Sequence, residues 1–346
     1  MKKVFLVLLV VLLLSGGVAA WLFLGPGTGF SEGKRTLYIR TDAATKKAVQ
    51  DSLVHNHIVS NTAVFTWLAG RMDLWNNLKP GKYDITRGSS VLEVVRKLRN
   101  GQQTPVNLVI TKLRTKEDFA RLAGNRFECD SAQVIHFLNN ADSLRPFETE
   151  PEEAMTLVLP DTYKFFWNTT PEKIYAKLAQ EAKRFWTEER QKKAADLGLT
   201  YSKTYILASI VEEETNNNEE QDTIASVYLN RVATGMPLQA DPTVKFALKD
   251  FSLTRIYGEH LNTVSPYNTY RNRGLPPGPI CTPSKKTIDA VLAAPKTSYV
   301  YFVANKQLNG THSFSTTYAE HMAKAREYQA AYREWAAARQ QKQAGN

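Results

Sequence analysis

Three consecutive glutamates, Glu212 to Glu214, end an otherwise apolar stretch that begins at Ile206. Carboxylates at the end of a buried segment lose hydration, which costs free energy unless water solvates them or a cation pairs with them. Where neither holds, a functional role is the remaining reason to keep them. A partly desolvated carboxyl group has a raised pKa, which is what a general acid needs near neutral pH. The run therefore indicates acid–base chemistry, and a solvated, frayed helix end is the plain alternative.

Helical geometry separates the side chains, because successive residues of an α-helix lie about 100° apart around its axis. Glu213 falls beside Ser209, on the face that we expect to meet water. Glu214 falls on the bulky face that carries Ile210 and Val211, which we expect to pack in the core. These two glutamates are thus predicted to be solvated and structural, respectively.

Glu212 falls between Tyr205 and Ala208, one aromatic and one small residue. Such a face leaves room for a ligand, so we expect Glu212 to be the catalytic acid. Glu214 lies about 200° away around the axis. The two cannot flank one glycosidic bond as an acid and nucleophile held about 5–10 Å apart, so the helix supplies a single acid/base.

Polar residues further along the chain are candidates for substrate binding. Gln239 and Asp241 precede a predicted helix, in which Asp241 is most simply the cap. Tyr267, Asn268 and Tyr270 open a loop stiffened by proline and glycine, and their side chains suit stacking and hydrogen bonding to sugars. The alternative for these three is a rigid structural loop.

No motif indicates a metal or a cofactor. His312 and His321 lack partners at metal-ligand spacing, and no nucleotide-binding, dinucleotide-binding or nucleophilic-serine fingerprint is present. Cys129 and Cys281 are far apart in sequence. They are consistent with one disulfide in an oxidising compartment or with two buried thiols.

The elements that must position these residues mix helices with short strands, so the predicted fold class is α+β. Residues 200–346 are expected to form a catalytic domain, preceded by a helical connecting region at 114–199 that holds an extended piece, Leu157–Trp167. A smaller α+β module is predicted at 35–113. In the catalytic domain we expect helices at Lys203–Glu214, Glu219–Thr234, from Asp241 and from Thr282 to Ala294, a strand pair at Tyr299–Ala304 and Thr311–Ser315, and a C-terminal helix.

The N-terminus carries a membrane signal. Residues 4–24 hold no charge, follow Lys2 and Lys3, and are long enough to span a bilayer. The positive-inside rule then places residues 1–3 in the cytoplasm and everything after the 25–34 linker outside. A cleaved signal peptide ending in small residues near Ala20 is the alternative. Both interpretations put the bulk of the chain outside the cytoplasm.

The 346-residue chain has a net charge of +10, which suggests an anionic neighbour. No zinc-finger spacing or basic-region heptad accompanies this charge, so we expect no nucleic acid partner. An extracytoplasmic location favours a polymer of the cell envelope instead.

Several ordered motifs together resemble the YceG-like family, the MltG-type endolytic murein transglycosylases. The resemblance is strongest over 200–325, and a LysM-like module at 35–113 with Leu78–Tyr83 also suits this family. The motifs are Ala208–Thr215, Ala225–Arg231, Gly235–Thr243, Pro266–Tyr270, Gly274–Ile280 and Tyr299–Ala304.

The resemblance implies a single-pass protein of the bacterial inner membrane that cleaves peptidoglycan glycan strands within the chain. It implies that Glu212, the first glutamate of the motif, is the acid/base, and that no cofactor is needed. The expected product is a 1,6-anhydro-MurNAc end, and the implied role is to end new strands beside penicillin-binding synthases. Glu213 stands where the family often has lysine, which is a departure.

Two rival functions stay open at the level of sequence. A muramidase would pair Glu212 with Asp241 and release a reducing end. A non-enzymatic, membrane-anchored protein that binds peptidoglycan through the first module is the rival from another class.

Overall fold

The computed structural model describes residues 2–344, which form a mixed α+β protein of two compact units. The stretch predicted as a connecting region, 114–199, is shared between these units. One unit holds Met1–Leu108, Leu122–Ser131 and Tyr163–Pro171, and the other holds Val109–Arg121, Ala132–Thr162 and Glu172–Asn346.

The N-terminal apolar segment is a single helix, α1 (Lys2–Leu24), with no buried residue. Its mean hydropathy of 2.7 and its 23 residues are sufficient to cross a membrane. A signal sequence would have the same length and composition. The helix therefore agrees with both interpretations of the N-terminus.

The first unit has the predicted mixture of strands and helices. Strands β1 (Lys34–Ile39) and β2 (Gly81–Thr86) pair antiparallel. Helices α2 (Lys46–His55), α3 (Thr62–Arg71) and α4 (Val91–Arg99) belong to the same unit. Their boundaries follow side-chain caps from Thr45, Asn61 and Ser90, which satisfy backbone N–H groups of the first turn. The LysM-like character of this module stays a prediction.

A second strand pair brackets several short helices. The predicted extended piece Leu157–Trp167 is a strand only over Asp161–Phe165, and its first residue ends a 3₁₀ turn. This part contains β3 (Val106–Ile110), α5 (Lys116–Gly124), α6 (Ser131–Asn139), α7 (Ala141–Leu144) and β4 (Asp161–Phe165), with β3 paired to β4.

The second unit is built around α10 (Tyr201–Glu214), in which all eight residues from Thr204 to Val211 are buried. Three helices pack against it: α11 (Gln221–Ala233), α12 (Asp241–Leu248) and α14 (Lys285–Leu292). The remaining elements are α8 (Pro171–Phe185), α9 (Glu188–Asp196), α13 (Gly258–Leu261), β5 (Tyr301–Ala304), β6 (His312–Ser315) and α15 (Tyr318–Ala344), with β5 and β6 antiparallel.

Helix α10 begins two residues before the predicted Lys203, because the Thr200 hydroxyl accepts the Lys203 N–H and fixes the first turn. The two cysteines, Cys129 and Cys281, are both buried and free. Burial raises the pKa of the Cys129 thiol to about 11 and also raises that of Cys281. Of the two alternatives for the cysteines, the structure has the buried thiols.

Candidate active site

The three glutamates stand where α10 leaves the core. The helix ends at Glu214, and Thr215 is extended with φ −145°. Ser209, which the helical projection placed on a wet face, is fully buried, and its hydroxyl accepts the Ile280 N–H at 3.0 Å. A helix surrounded by neighbours has no wet face, so each glutamate takes its environment from whatever element packs beside it.

Glu212 contacts the beginning of α14. Its Oε2 accepts the Ser284 N–H at 3.3 Å and also the Thr287 hydroxyl. Carboxylates are stabilised at the N-terminus of a helix by the backbone dipole. The ligand space that we expected beside Tyr205 and Ala208 is absent, since both are fully buried and α14 covers this end of α10. Glu212 therefore joins two helices.

Glu213 does not face water, which corrects the expectation from the helical projection. Its carboxylate pairs with Lys112 at 3.0 Å and with Arg114 at 3.2 Å, and its side chain is only 15% exposed. Both cations come from the segment between β3 and α5, which is distant in sequence. The second of the three acids is thus neutralised by two cations that helix geometry could not reveal.

Glu214 is half-buried, where we expected it to pack fully in the core. Its Oε1 accepts the Tyr228 hydroxyl at 2.6 Å. Burial raises the pKa of Glu214 to about 7. The Asp241 carboxylate raises it further, while the Tyr228 hydrogen bond and the cation of Lys245 oppose the shift. A raised pKa is the behaviour that we predicted for the acid, and Glu214 has it.

Asp241 is exposed and stands at the first position of α12, where it caps nothing. The cap position belongs to Ala240, so the predicted capping role of Asp241 is wrong. Its Oδ1 instead accepts the Tyr270 hydroxyl at 2.6 Å. Burial, together with this hydrogen bond, raises the pKa of Tyr270 above its usual range. Asp241 and Tyr270 therefore form a hydrogen-bonded pair beside Glu214.

Gln239 is exposed and has a left-handed backbone, with φ +52°. This conformation is uncommon for residues other than glycine and is concentrated at functional sites. The Thr269 carbonyl accepts the Gln239 N–H at 3.1 Å, and the Thr269 hydroxyl accepts the N–H of Ala240 at 3.0 Å. The structure thus presents Gln239 beside Asp241, on a segment fixed by the Tyr267–Tyr270 loop.

Asn268 is fully buried within its own loop. Its amide donates to the carbonyls of Leu261 at 3.0 Å and Thr263 at 2.8 Å, and its Oδ1 accepts the Tyr270 N–H at 3.0 Å. Because these bonds use the amide donors and the carbonyl, Asn268 orients Tyr270 instead of facing a ligand. The sugar contact predicted for this side chain stays a prediction.

The ring of Tyr267 packs against that of Phe246, with ring centroids 4.6 Å apart. Burial raises the pKa of Tyr267 to about 12. The phenol is partly exposed, so it contributes both to the packing under the loop and to its surface. Tyr270 is the member of the predicted trio that stands beside Glu214.

Arg231 was not among the predicted site residues, because an arginine in a helix is most simply a surface residue or a polar contact between helices. Arg231 is buried, its Nε donates to the Val300 carbonyl at 2.6 Å, and a terminal nitrogen donates to the Leu238 carbonyl at 2.6 Å. Its guanidinium also lowers the pKa of Glu214 slightly, as a minor opposing cation. The only available signal was its place in the Ala225–Arg231 motif.

Across residues 2–344, no group of three His, Cys, Asp or Glu side chains is arranged to hold a metal ion. The site therefore consists of one carboxyl with a raised pKa, an acid–phenol pair and a strained glutamine. Chemically, this arrangement can donate and accept one proton at Glu214 next to an exposed surface rich in hydrogen-bonding groups.

The model of the YceG-like family matches residues 37–327 of this chain. This match spans well over half of the sequence and includes every site residue described above. The chain belongs to the YceG-like family. The motifs that suggested the resemblance thus indicated the correct family.

Two relatives are named endolytic murein transglycosylase. The one from Bacillus subtilis is 26% identical over 306 residues, which cover 84% of each chain. The one from Streptococcus pneumoniae is 26% identical over 282 residues, 72% of this chain and 50% of that protein. The chain thus matches about half the length of the pneumococcal relative. A crystal structure of a YceG-like protein from Listeria monocytogenes is similar at a TM-score of 0.55 and 27% identity, over 85% of this chain and 99% of that one.

Proposed function

We propose that this chain is an endolytic lytic transglycosylase that cuts the β-1,4 bond between MurNAc and GlcNAc within peptidoglycan strands. The single observation that carries the proposal is Glu214, a partly buried carboxyl whose pKa is raised to about 7 beside an exposed acid–phenol pair. The family membership and the names of the relatives support the same substrate.

In the proposed reaction, protonated Glu214 donates its proton to the oxygen that bridges the two sugars, and the bond from this oxygen to the anomeric carbon breaks. The Glu214 carboxylate then takes the proton of the C6 hydroxyl of the same MurNAc. The C6 oxygen forms the new bond to the anomeric carbon and gives a 1,6-anhydro end. One carboxyl group serves in both steps because the nucleophile belongs to the substrate.

The other site residues have supporting roles in this proposal. Asp241 raises the proton affinity of Glu214 and offers negative charge to an oxocarbenium-like transition state. Gln239 and Tyr270 supply hydrogen bonds to sugar hydroxyls, and Tyr267 supplies packing. The assignment of Glu212 as acid/base stays a prediction. The contact of its carboxylate with the beginning of α14 gives this side chain a structural role instead.

Mass spectrometry of digested cell wall tests the proposal directly. The wild-type protein is expected to release fragments one water lighter than hydrolytic products. We expect Glu214→Gln to lower the rate by at least about 100-fold, the lower end of what a general acid contributes. Glu212→Gln is the matched variant, two residues away, and should keep most of the activity. Full activity of Glu214→Gln with loss in Glu212→Gln would move the assignment back to Glu212.

One observation favours a second function. Asp241 acts electrostatically on Glu214, so the site holds two neighbouring carboxylates, as a muramidase requires. Such an enzyme would add water and release a reducing end. The same mass spectra decide between the two, because hydrolytic fragments keep the mass of the added water.

We further propose that α1 keeps the protein in the bacterial inner membrane with the bulk of the chain outside. In this position the enzyme would cut strands as they are made beside penicillin-binding synthases, and so end their elongation. The uncharged stretch 4–24 of this helix and the two lysines before that stretch support this orientation.

A further inference from the structure

A cavity of about 1050 Å³ lies in the same unit as Glu214, at the other end of α10. The rise of 1.5 Å per residue puts about 20 Å of helix between Tyr201, which lines the cavity, and Glu214. The cavity is thus a separate feature from the candidate active site. Its walls include Phe147, Thr149, Lys183, Trp186, Tyr201 and Ser202.

Three residues that line this cavity carry buried polar atoms without a hydrogen-bond partner among residues 2–344. These atoms are Thr149 Oγ1, Trp186 Nε1 and Ser202 Oγ. Thr149 is 8% exposed and Trp186 is 5% exposed, so neither residue is largely in contact with bulk solvent. Native proteins leave few such groups unsatisfied. The indole N–H can only donate and both hydroxyls can donate, so together they suit an acceptor such as a carboxylate.

Two further features favour an anionic group at the same place. The first turn of α10 lines the cavity, and the Thr200 side chain caps only the N–H of Lys203. The other first-turn N–H groups and the helix dipole attract negative charge. Lys183 adds an exposed ammonium at the rim. Glu148 and Glu153 also line the cavity and supply the opposite sign.

We infer that this cavity binds the stem peptide of the proposed peptidoglycan substrate, a short peptide that carries carboxylates and a free amine. This inference rests on the proposed function. The lining carries a cation, two carboxylates and unsatisfied donors, and this mixture matches the charged groups of such a peptide better than it matches a neutral glycan. The rings of Trp186 and Tyr201 pack edge to face against each other with centroids 4.9 Å apart, and the Tyr201 hydroxyl already bonds the Thr156 carbonyl. The volume is at the top of the usual range for ligand clefts, about 300–1,000 Å³.

The functional consequence is selection of strands by their peptides. A strand held by its peptide in the cavity would present a glycosidic bond to Glu214 from a fixed anchor point. Peptide-bearing strands should therefore be cut faster than peptide-free strands, through binding rather than through chemistry.

Calorimetric titration of the full-length protein in detergent tests the inference. The probe is a synthetic stem tetrapeptide with a free amine on its third residue. We expect saturable binding by the wild type and about tenfold or greater weakening in Lys183→Gln and Thr149→Val, the loss expected for a charged or buried hydrogen-bond partner. Lys192→Gln is the matched control, because Lys192 is an exposed lysine of α9 outside the lining.

Three outcomes would overturn the inference: no binding of the peptide, equal binding by all variants, or equal binding of a peptide with amidated carboxylates and an acetylated amine. Binding of a peptide-free chitotetraose that the cavity variants weaken would assign the cavity to glycan instead. Lys183 is exposed, so Lys183→Gln should fold even if Thr149→Val does not.

Activity separates this inference from the proposed function. Glu214→Gln should still bind the peptide, and Lys183→Gln should still cut peptide-free strands at the wild-type rate. A wild-type protein that binds the peptide but forms no anhydro ends would refute the proposed function alone. A wild-type protein that forms anhydro ends but binds no peptide would refute the inference alone.

Discussion

At the scale of residues, three consecutive glutamates have three different environments. Glu212 accepts hydrogen bonds at a helix N-terminus, Glu213 is neutralised by two cations, and Glu214 is desolvated beside another acid. Burial raises the pKa of Glu214 to about 7. The different environments of the three side chains therefore come from their neighbours and not from the residue type.

The pH dependence of activity should follow the neighbours of Glu214. Because the acid must be protonated, activity should fall as pH rises through about 7. Asp241→Asn removes a group that raises this pKa, so the alkaline limb should move to lower pH. Tyr228→Phe removes a hydrogen bond that lowers it, so the limb should move to higher pH. Rates of anhydro-product formation between pH 5 and pH 9 check both shifts, and shifts in the same direction would contradict the assignment.

Glu214 should also make stability depend on pH. Its folded-state pKa of about 7 exceeds the ordinary value of 4.5, so the folded protein binds this proton more tightly than the unfolded chain. The stability that this proton contributes is complete below about pH 4.5 and is lost as pH rises through about 7. Glu214→Gln should therefore raise the melting temperature more at pH 8 than at pH 5. An equal change at both values would mean that the pKa is not raised.

At the scale of elements, α10 is held at its end by contacts that its own sequence does not contain. The beginning of α14 meets Glu212, and the segment before α5 meets Glu213. Helix α11 meets Glu214 through the Tyr228 hydroxyl. Three separate elements thus fix the end of one helix.

Glu212→Gln should loosen the junction of α10 and α14. The neutral amide still accepts hydrogen bonds from Ser284 and Thr287 but loses the attraction to the helix dipole, a loss of about 0.3–1 kcal/mol. Chemical denaturation should show this decrease in the free energy of unfolding. Glu219→Gln is the control, because Glu219 is an exposed glutamate of the same region. An equal effect of both variants would contradict the capping role.

At the scale of the whole molecule, α1 has the length and composition of a membrane anchor or of a signal sequence. If the helix is retained, the full chain should stay in the membrane fraction after a high-salt wash, and a chain starting at Gly25 should be soluble. Burial of about 20 apolar residues in lipid is the physical reason. The mass of the mature protein is the second readout, because a cleaved signal peptide would remove the N-terminal residues near Ala20.

Much of the fold followed from local chemistry. The helix predicted over Lys203–Glu214 agrees with α10 within two residues, and the strand pair predicted over Tyr299–Ala304 and Thr311–Ser315 agrees equally well with β5 and β6, because hydrophobic periodicity is a local signal. The extended piece predicted over Leu157–Trp167 agrees with an extended Val158 and with strand β4 over Asp161–Phe165, while its first residue, Leu157, ends a 3₁₀ turn.

The sequence by itself determined the family, the α+β class, the apolar N-terminal helix and the position of an acidic cluster at the end of a buried helix. Ordered motifs and local periodicity determine these properties, and both can be identified in the sequence alone. Only the tertiary structure decided which glutamate is desolvated, because α14, Lys112 and Tyr228 reach the end of α10 from distant parts of the chain. A pKa depends on the groups within a few ångströms in space, whereas helical periodicity reports only neighbours along the same helix.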